Sequence, residues 1–252
     1  MKYVENIPNS LLLKRYYEKI SEHNSYLWKR DRTTEFHEKL EVIKNIENFN
    51  KDFIIAELGC GNGQFVSFLS KSGFKSIGYE LDSGLVNEGK KYGANVINAN
   101  IMDTTFDHTD IFLCYEIIEH LQEPRVFFQN LASLSYSHVI IITTPNINGF
   151  DNMIVPPQKD GRFLASAIFP PYHINGFSIH TLTNLLLSVG YSIKSIRTPG
   201  KLDVEIVLHD SDYFENEGFI PNSDQAKIIQ KCVSSCNGSS HMEIIAKMNY
   251  KS

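Results

Sequence analysis

Glu57-Leu58-Gly59-Cys60-Gly61-Asn62-Gly63 sets a carboxylate ahead of three glycines spaced two apart. An apolar run, Phe53-Ile54-Ile55-Ala56, precedes it, and Phe65, Val66, Phe68 and Leu69 follow at helical spacing. Such glycines permit positive φ and carry no Cβ, so a ligand can lie against bare main chain. The helix that follows aims its N-terminus at the same ligand. Turns of this kind at the carboxyl ends of strands are where open α/β sheets bind ligands. Glu80 closes the next strand-like run, 17 residues after Gly63, where an acid can hold two ribose hydroxyls. Two ligand classes compete. A dinucleotide fold wants its third glycine where this chain has Gln64, and here the glycine comes one residue early, at Gly63. Glu57 would repel a pyrophosphate and suits a cation. Glu80 serves either class.

These residues need a sheet to hold them. Ser76–Tyr79, Asn95–Ile97, Asp110–Cys114 and Val139–Ile142 read as further short buried strands, with helices over Leu85–Tyr92 and Val126–Leu134. Thr181–Val189 reads as a helix, Tyr191–Ile196 as a strand and Met242–Met248 as a last strand. This alternation implies an α/β fold, doubly wound on a mainly parallel seven-strand-type sheet. Residues 1–50 read as an N-terminal helical cap, carried by Leu11, Tyr16 and Ile20 and then by Phe36, Leu40, Ile43 and Ile46. Residues 51–252 form the remaining domain. It is interrupted at 145–176 by a proline- and aromatic-rich insertion, and long insertions of that kind are lids or binding loops. Residues 209–240 are polar and poorly patterned.

Composition narrows the partners. The chain has 252 residues, 24 Lys+Arg against 29 Asp+Glu, and 42% hydrophobic residues. That is too apolar for a disordered chain, and the mild acidity argues against a nucleic-acid partner. No apolar run nears the ~20 residues of a membrane helix. Met1-Lys2-Tyr3-Val4-Glu5 does not read as a signal peptide. Cys60, Cys114, Cys232 and Cys236 form no CxxC pair, so free thiols in a reducing cytoplasm are expected. Cys232 and Cys236 would need two more ligands to hold a metal, and the acids between 100 and 150 show no paired spacing; no metal is expected. Nothing in the sequence sets an oligomeric state.

Together with Cys114-Tyr115-Glu116-Ile117-Ile118-Glu119-His120-Leu121, the turn and Glu80 resemble the class I S-adenosylmethionine-dependent methyltransferases. The variant is the small-molecule group similar to surface-polysaccharide and ubiquinone-type enzymes, and the likeness runs over about residues 53–196. The resemblance implies a Rossmann-like methyltransferase fold, S-adenosyl-L-methionine as cofactor, and a small-molecule acceptor. It implies that Glu57, Gly59, Cys60, Gly61 and Gly63 pack on the methionine part of the cofactor. Glu80 would take the ribose, with Leu81 beside it in contact with the cofactor. Asn100 and Ile101 would edge the adenine, Asn100 standing where relatives commonly have Asp, with Asp103 close by. Cys114 and Tyr115 would flank the reactive centre.

Methyl transfer from a sulfonium is an in-line displacement in which alignment alone can supply on the order of 7–11 kcal/mol. A base is needed only where the acceptor must lose a proton. His173 and His120 are the candidates. Pro170-Pro171-Tyr172-His173, with Phe177-Ser178, resembles a segment whose histidine faces the acceptor pocket in relatives, including those of surface-polysaccharide pathways. His120 is either a base or a structural histidine at the start of the next helix. Ser178 reads as a helix cap without chemistry. Phe169-Pro170-Pro171-Tyr172 lacks the leading Asp or Asn of the base-amino methyltransferases and follows the fifth strand, not the fourth, which again argues against nucleic acid. Tyr16, Tyr17, Tyr26 and Trp28, with Arg30 or Arg15, form either a lid over the cofactor or core packing. The activity expected is transfer to an oxygen of a sugar or other cell-surface glycan intermediate. The rivals are a nicotinamide-dependent oxidoreductase and a non-catalytic cofactor-binding protein.

Overall fold

The computed structural model describes residues 2–3, 31–150, 173–200, 204 and 223–250. The first helix among the described residues, α1 (Thr33–Lys44), buries Phe36, Leu40 and Ile43 along one face. Next come β2 (Ile54–Leu58), α2 (Gln64–Lys71), β3 (Lys75–Glu80), α3 (Ser83–Lys91), β4 (Val96–Asn98) and β5 (Ile111–Tyr115). A short 3-10 turn (Ile118–His120), α4 (Pro124–Ala132), β6 (His138–Pro145), β7 (Asn175–Gly176) and α5 (Ile179–Ser188) follow. The chain closes with β8 (Ser192–Arg197), α6 (Ser223–Ser235) and β9 (His241–Met248). A two-residue strand, β1 (Lys2–Tyr3), pairs antiparallel with β7.

Seven strands are hydrogen-bonded in the order β4-β3-β2-β5-β6-β9-β8. The pairs β2/β3, β2/β5 and β3/β4 are parallel, and β8/β9 is antiparallel. The expected doubly wound, mainly parallel sheet is therefore present. Ile55, Ala56, Leu58, Ile111, Phe112, Leu113 and Cys114 are inaccessible to solvent. This is why β2 and β5 read as unbroken apolar runs rather than alternating ones. From β2 the chain steps outward to β3 and β4, then returns to the other side of β2 for β5. The carboxyl ends of β2 and β5 thus mark a topological switch point, where open α/β sheets leave a crevice.

The chain divides into two compact units. One comprises Pro8–Tyr115, Ser133–Ile140 and Asn249–Ser252; the other comprises Met1–Ile7, Glu116–Ala132 and Ile141–Met248. The helix α6 lies within the stretch expected to be unpatterned. It is anchored by polar contacts that a hydrophobic period does not register: Gln230 accepts from the Val204 N–H at 3.1 Å and donates to the Gly200 carbonyl at 3.0 Å. The aromatic and basic residues from Arg15 to Arg30, and the insertion from 151 to 172, lie outside the described residues. All four cysteines are free; Cys60 and Cys114 are buried, Cys232 and Cys236 exposed. Among the described residues, no helix is long and apolar enough to cross a membrane.

Candidate active site

The glycine turn leaves β2 with Gly59, Gly61 and Gly63 all at positive φ. The Tyr79 carbonyl on β3 pins its start by accepting from Gly59 N at 2.8 Å and Cys60 N at 3.1 Å. Gly63 caps α2 at φ 67°. A Cβ on Gly63 would lie 2.6 Å from Val96 Cγ2 and 2.9 Å from Ala94 Cβ, so only glycine fits there without moving β4. Glu80, at the end of β3, reaches back to the turn: its Oε2 accepts from Gly61 N at 2.9 Å and its Oε1 from Asp82 N at 2.9 Å. The carboxylate is thereby fixed in one orientation, with lone pairs left for hydroxyl donors. Burial raises its pKa, against the pull of the Asp82 and Gly61 N–H groups.

Glu57 is buried, and its Oε2 accepts no hydrogen bond from the described residues. A buried acceptor left bare costs about 1–3 kcal/mol, which a bound cationic ligand would relieve. Burial pushes its carboxyl up to about 7, against the attraction of Lys39 on α1 and Arg32 just before it. Lys39 Nζ sits 4.3 Å from the centre of the Tyr115 ring and 2.9 Å from Glu35 Oε1, and Arg32 also pairs with Glu35. Asn62 Oδ1 in the turn is likewise buried without a partner. The charges gathered here are the carboxyls of Glu57 and Glu35 and the cations of Arg32 and Lys39, with bare oxygens on Glu57 and Asn62. The spacing that could have revealed Arg32 and Lys39 is helical: with Glu35 and Phe36 they repeat at three and four residues.

Other expected positions are also placed. Asn100 turns its amide onto its own loop, donating to Asp103 Oδ2 at 2.6 Å and accepting from Met102 N at 3.1 Å. Ile101 is buried, whereas Leu81 is half-exposed at 53%. Cys114 is inaccessible inside β5, where burial raises its thiol pKa, and Tyr115 ends that strand.

The two histidines are brought together in the unit that contains Glu116–Ala132. Their rings meet edge to face, with centroids 4.9 Å apart. Two hydrogen bonds cause this: Ile174 N donates to the Glu119 carbonyl at 3.0 Å, and the Asn175 side-chain amide Nδ2 donates to the Leu121 carbonyl at 2.5 Å. His173 is thus held against the 3-10 turn that carries His120. Glu119, which the sequence reading passed over, is buried beside them. Its Oε2 accepts from Thr144 Oγ1 at 2.9 Å, and burial, with the charge of Glu116, raises its pKa. Glu116 sits at φ 51°, a conformation that costs a non-glycine residue about 1–3 kcal/mol and clusters at working sites. Its carboxylate accepts from Thr143 Oγ1 at 2.8 Å and lies 3.3 Å from His241 Nε2. Ser178 does cap α5, in a reciprocal box with Thr181, as its sequence context implies.

A family model described as a methyltransferase domain matches residues 23–196, more than half of the chain. The chain belongs to this methyltransferase domain family. S-adenosyl-L-methionine is the cofactor that membership implies, and the turn, Glu57 and Glu80 fit it. Among curated proteins, it is 27% identical over 115 residues to the ubiquinone biosynthesis O-methyltransferase of Rickettsia bellii, covering 42% of this chain and 48% of that one. It is 33% identical over 109 residues to an uncharacterized protein of Methanocaldococcus jannaschii, covering 39% and 46%. The chain thus spans about half the length of the curated relatives it matches. A solved S-adenosylmethionine-dependent methyltransferase from Archaeoglobus fulgidus superposes with TM-score 0.59 at 17% identity, covering 92% of this chain and 99% of that one. The 4+2 cyclase SpnF superposes with TM-score 0.55 at 11% identity, covering 84% and 80%. These likenesses show the fold, and a fold alone does not choose a reaction.

If Glu57 faces the positive end of the cofactor, binding depends on pH with a definite sign. The free carboxyl ionises near 7, while a cation favours the ionised form, so binding releases a proton. Affinity for S-adenosyl-L-methionine should therefore rise with pH up to about that value, approaching about tenfold per unit below it, and fall away under acid conditions. Glu57→Gln should flatten the profile. A flat wild-type profile in calorimetry from about pH 5 to 7 would remove Glu57 from the cofactor.

Proposed function

We propose that this chain transfers a methyl group from S-adenosyl-L-methionine to an oxygen of a small polar acceptor. The observation that carries the reading is the pair of carboxylates at adjacent strand ends, Glu57 buried and Glu80 partly buried. Glu80 is locked between two backbone N–H groups, and Glu57 keeps a bare oxygen beside the turn. S-adenosyl-L-methionine, when bound, supplies the activated methyl group. Glu80 accepts from the ribose hydroxyls, Glu57 answers the positive charge, and Arg32 or Lys39 meets the carboxylate. Asn100 and Ile101 border the adenine, Asn100 through its loop backbone because its side chain is engaged by Asp103 and Met102. Cys60 and Cys114 shape the walls and stay protonated.

Oxygen is favoured as the methylated atom by the Rickettsia relatives, which are ubiquinone biosynthesis O-methyltransferases by name. The sugar expectation finds no support in the fold or in these relatives, and the proposal does not carry it. His173 and His120 are the groups suited to receive the acceptor's proton, and their edge-to-face contact fixes both rings. His173→Ala should lower turnover by about 10²–10⁴-fold, the range of a lost acid–base group, with cofactor affinity changed less than about threefold. The assay follows S-adenosylhomocysteine release with a panel of phenolic, quinol and sugar acceptors. Undiminished turnover on an accepted substrate would return His173 to packing.

A further inference from the structure

We propose that Glu119, His120 and His173 form a binding site for a divalent first-row transition-metal cation. Each contributes one ligand atom, and these atoms lie within 4.8 Å of one another. Ligands of a first-row divalent cation stand on the order of 3–3.5 Å apart when metal–ligand bonds are about 2.1 Å. A second observation points into the same space. Glu119 is 1% exposed, and its Oε1 accepts no hydrogen bond among the described residues; the nearest cationic candidate is His120 Nε2, 3.9 Å away. A buried carboxylate oxygen without a donor is costly, and a cation bound there removes the cost.

The surroundings are those of a ligand set. Thr144 Oγ1 donates to the other oxygen of Glu119 at 2.9 Å and holds the carboxylate in place. Glu116, strained at φ 51°, brings a second carboxylate beside Glu119, itself braced by Thr143 and His241. Such outer partners orient first ligands at metal sites. Two imidazoles and one carboxylate select borderline cations such as Zn²⁺, Mn²⁺, Fe²⁺ or Co²⁺ over Ca²⁺, which prefers an all-oxygen shell. Three protein ligands leave coordination positions open, the mark of a catalytic site rather than a structural one. Sequence spacing hid the site because its third ligand comes from a segment 53 residues beyond His120.

The chemical purpose of this site rests on the methyl-transfer reading. A cation here would hold the acceptor oxygen and lower its pKa so that its proton passes to solvent water, the histidines then serving as ligands in place of bases. The binding itself does not depend on that reading. The test titrates chelator-stripped protein with Co²⁺ alone, following visible absorption and calorimetric stoichiometry, with S-adenosylhomocysteine affinity measured on the same samples. The expected result is one Co²⁺ per chain, with ligand-field bands that vanish on adding Zn²⁺. His120→Asn and His173→Asn should each weaken binding more than about 100-fold, beyond the loss of an outer partner. Glu116→Gln should cost about tenfold, with S-adenosylhomocysteine affinity retained as evidence of folding. The absence of Co²⁺ binding, or binding that both histidine variants leave unchanged, overturns the site. Failure of S-adenosylhomocysteine to bind wild type, with Co²⁺ still bound, would instead overturn the cofactor reading and leave the metal site standing.

Discussion

Glu80→Ala should weaken S-adenosylhomocysteine binding by about 100-fold or more. The Glu80 carboxylate accepts from Gly61 N and Asp82 N, and hydrogen bonds to a charged group are worth about 1.5–3 kcal/mol each. Removing the carboxylate takes away the acceptor for the ribose hydroxyls and frees the turn at Gly61. A loss of about 3 kcal/mol in binding corresponds to a little over 100-fold in Kd. Glu80→Gln keeps the length and loses the charge; it should fall between wild type and alanine. Calorimetry measures both, with thermal melts confirming that each variant is folded. An alanine variant that melts normally and binds as tightly as wild type would contradict the assignment of Glu80.

Gly63→Ala should cost about 2–5 kcal/mol of stability. The left-handed φ of 67° costs an alanine about 1–2 kcal/mol, and forcing Cβ against Val96 and Ala94 adds about 1–3 kcal/mol of overpacking. For a chain of this size, about 2–4 °C is lost per kcal/mol, so Tm should drop by roughly 4–20 °C. Gly63→Asn separates the causes. Asparagine tolerates the left-handed conformation but keeps the clash, so it should recover only part of the loss. Equal melting of wild type and alanine would mean that β4 yields readily, and that the turn's shape does not depend on a bare Gly63.

The strands were legible because most of the central sheet is buried on both faces. Residues 53–56, 111–115 and 139–142 are unbroken apolar runs whose limits their polar neighbours mark. The turn was legible for a different reason: positive φ leaves glycine as nearly the only choice, so conformation is written directly into residue type. The charge network on α1 escaped notice. Arg32, Glu35 and Lys39 look like any solvated helix face until the fold sets them near Glu57. Glu119 escaped because one residue's burial cannot be read from a motif; its neighbour His120 drew the chemistry instead. The pairing of His120 with His173 depends on hydrogen bonds from the Ile174 backbone and the Asn175 side chain, which join segments remote in sequence. The helix α6 was hidden because a buried glutamine anchors it.

The central claim is that the turn beginning at Glu57 holds a cationic sulfur cofactor and not a diphosphate. Isothermal calorimetry of the purified chain with S-adenosylhomocysteine, S-adenosyl-L-methionine and NAD tests it most directly. Saturable one-to-one binding of both sulfur compounds, and none of NAD, is the predicted result. Binding of NAD with no heat from either sulfur compound would contradict the account at its root.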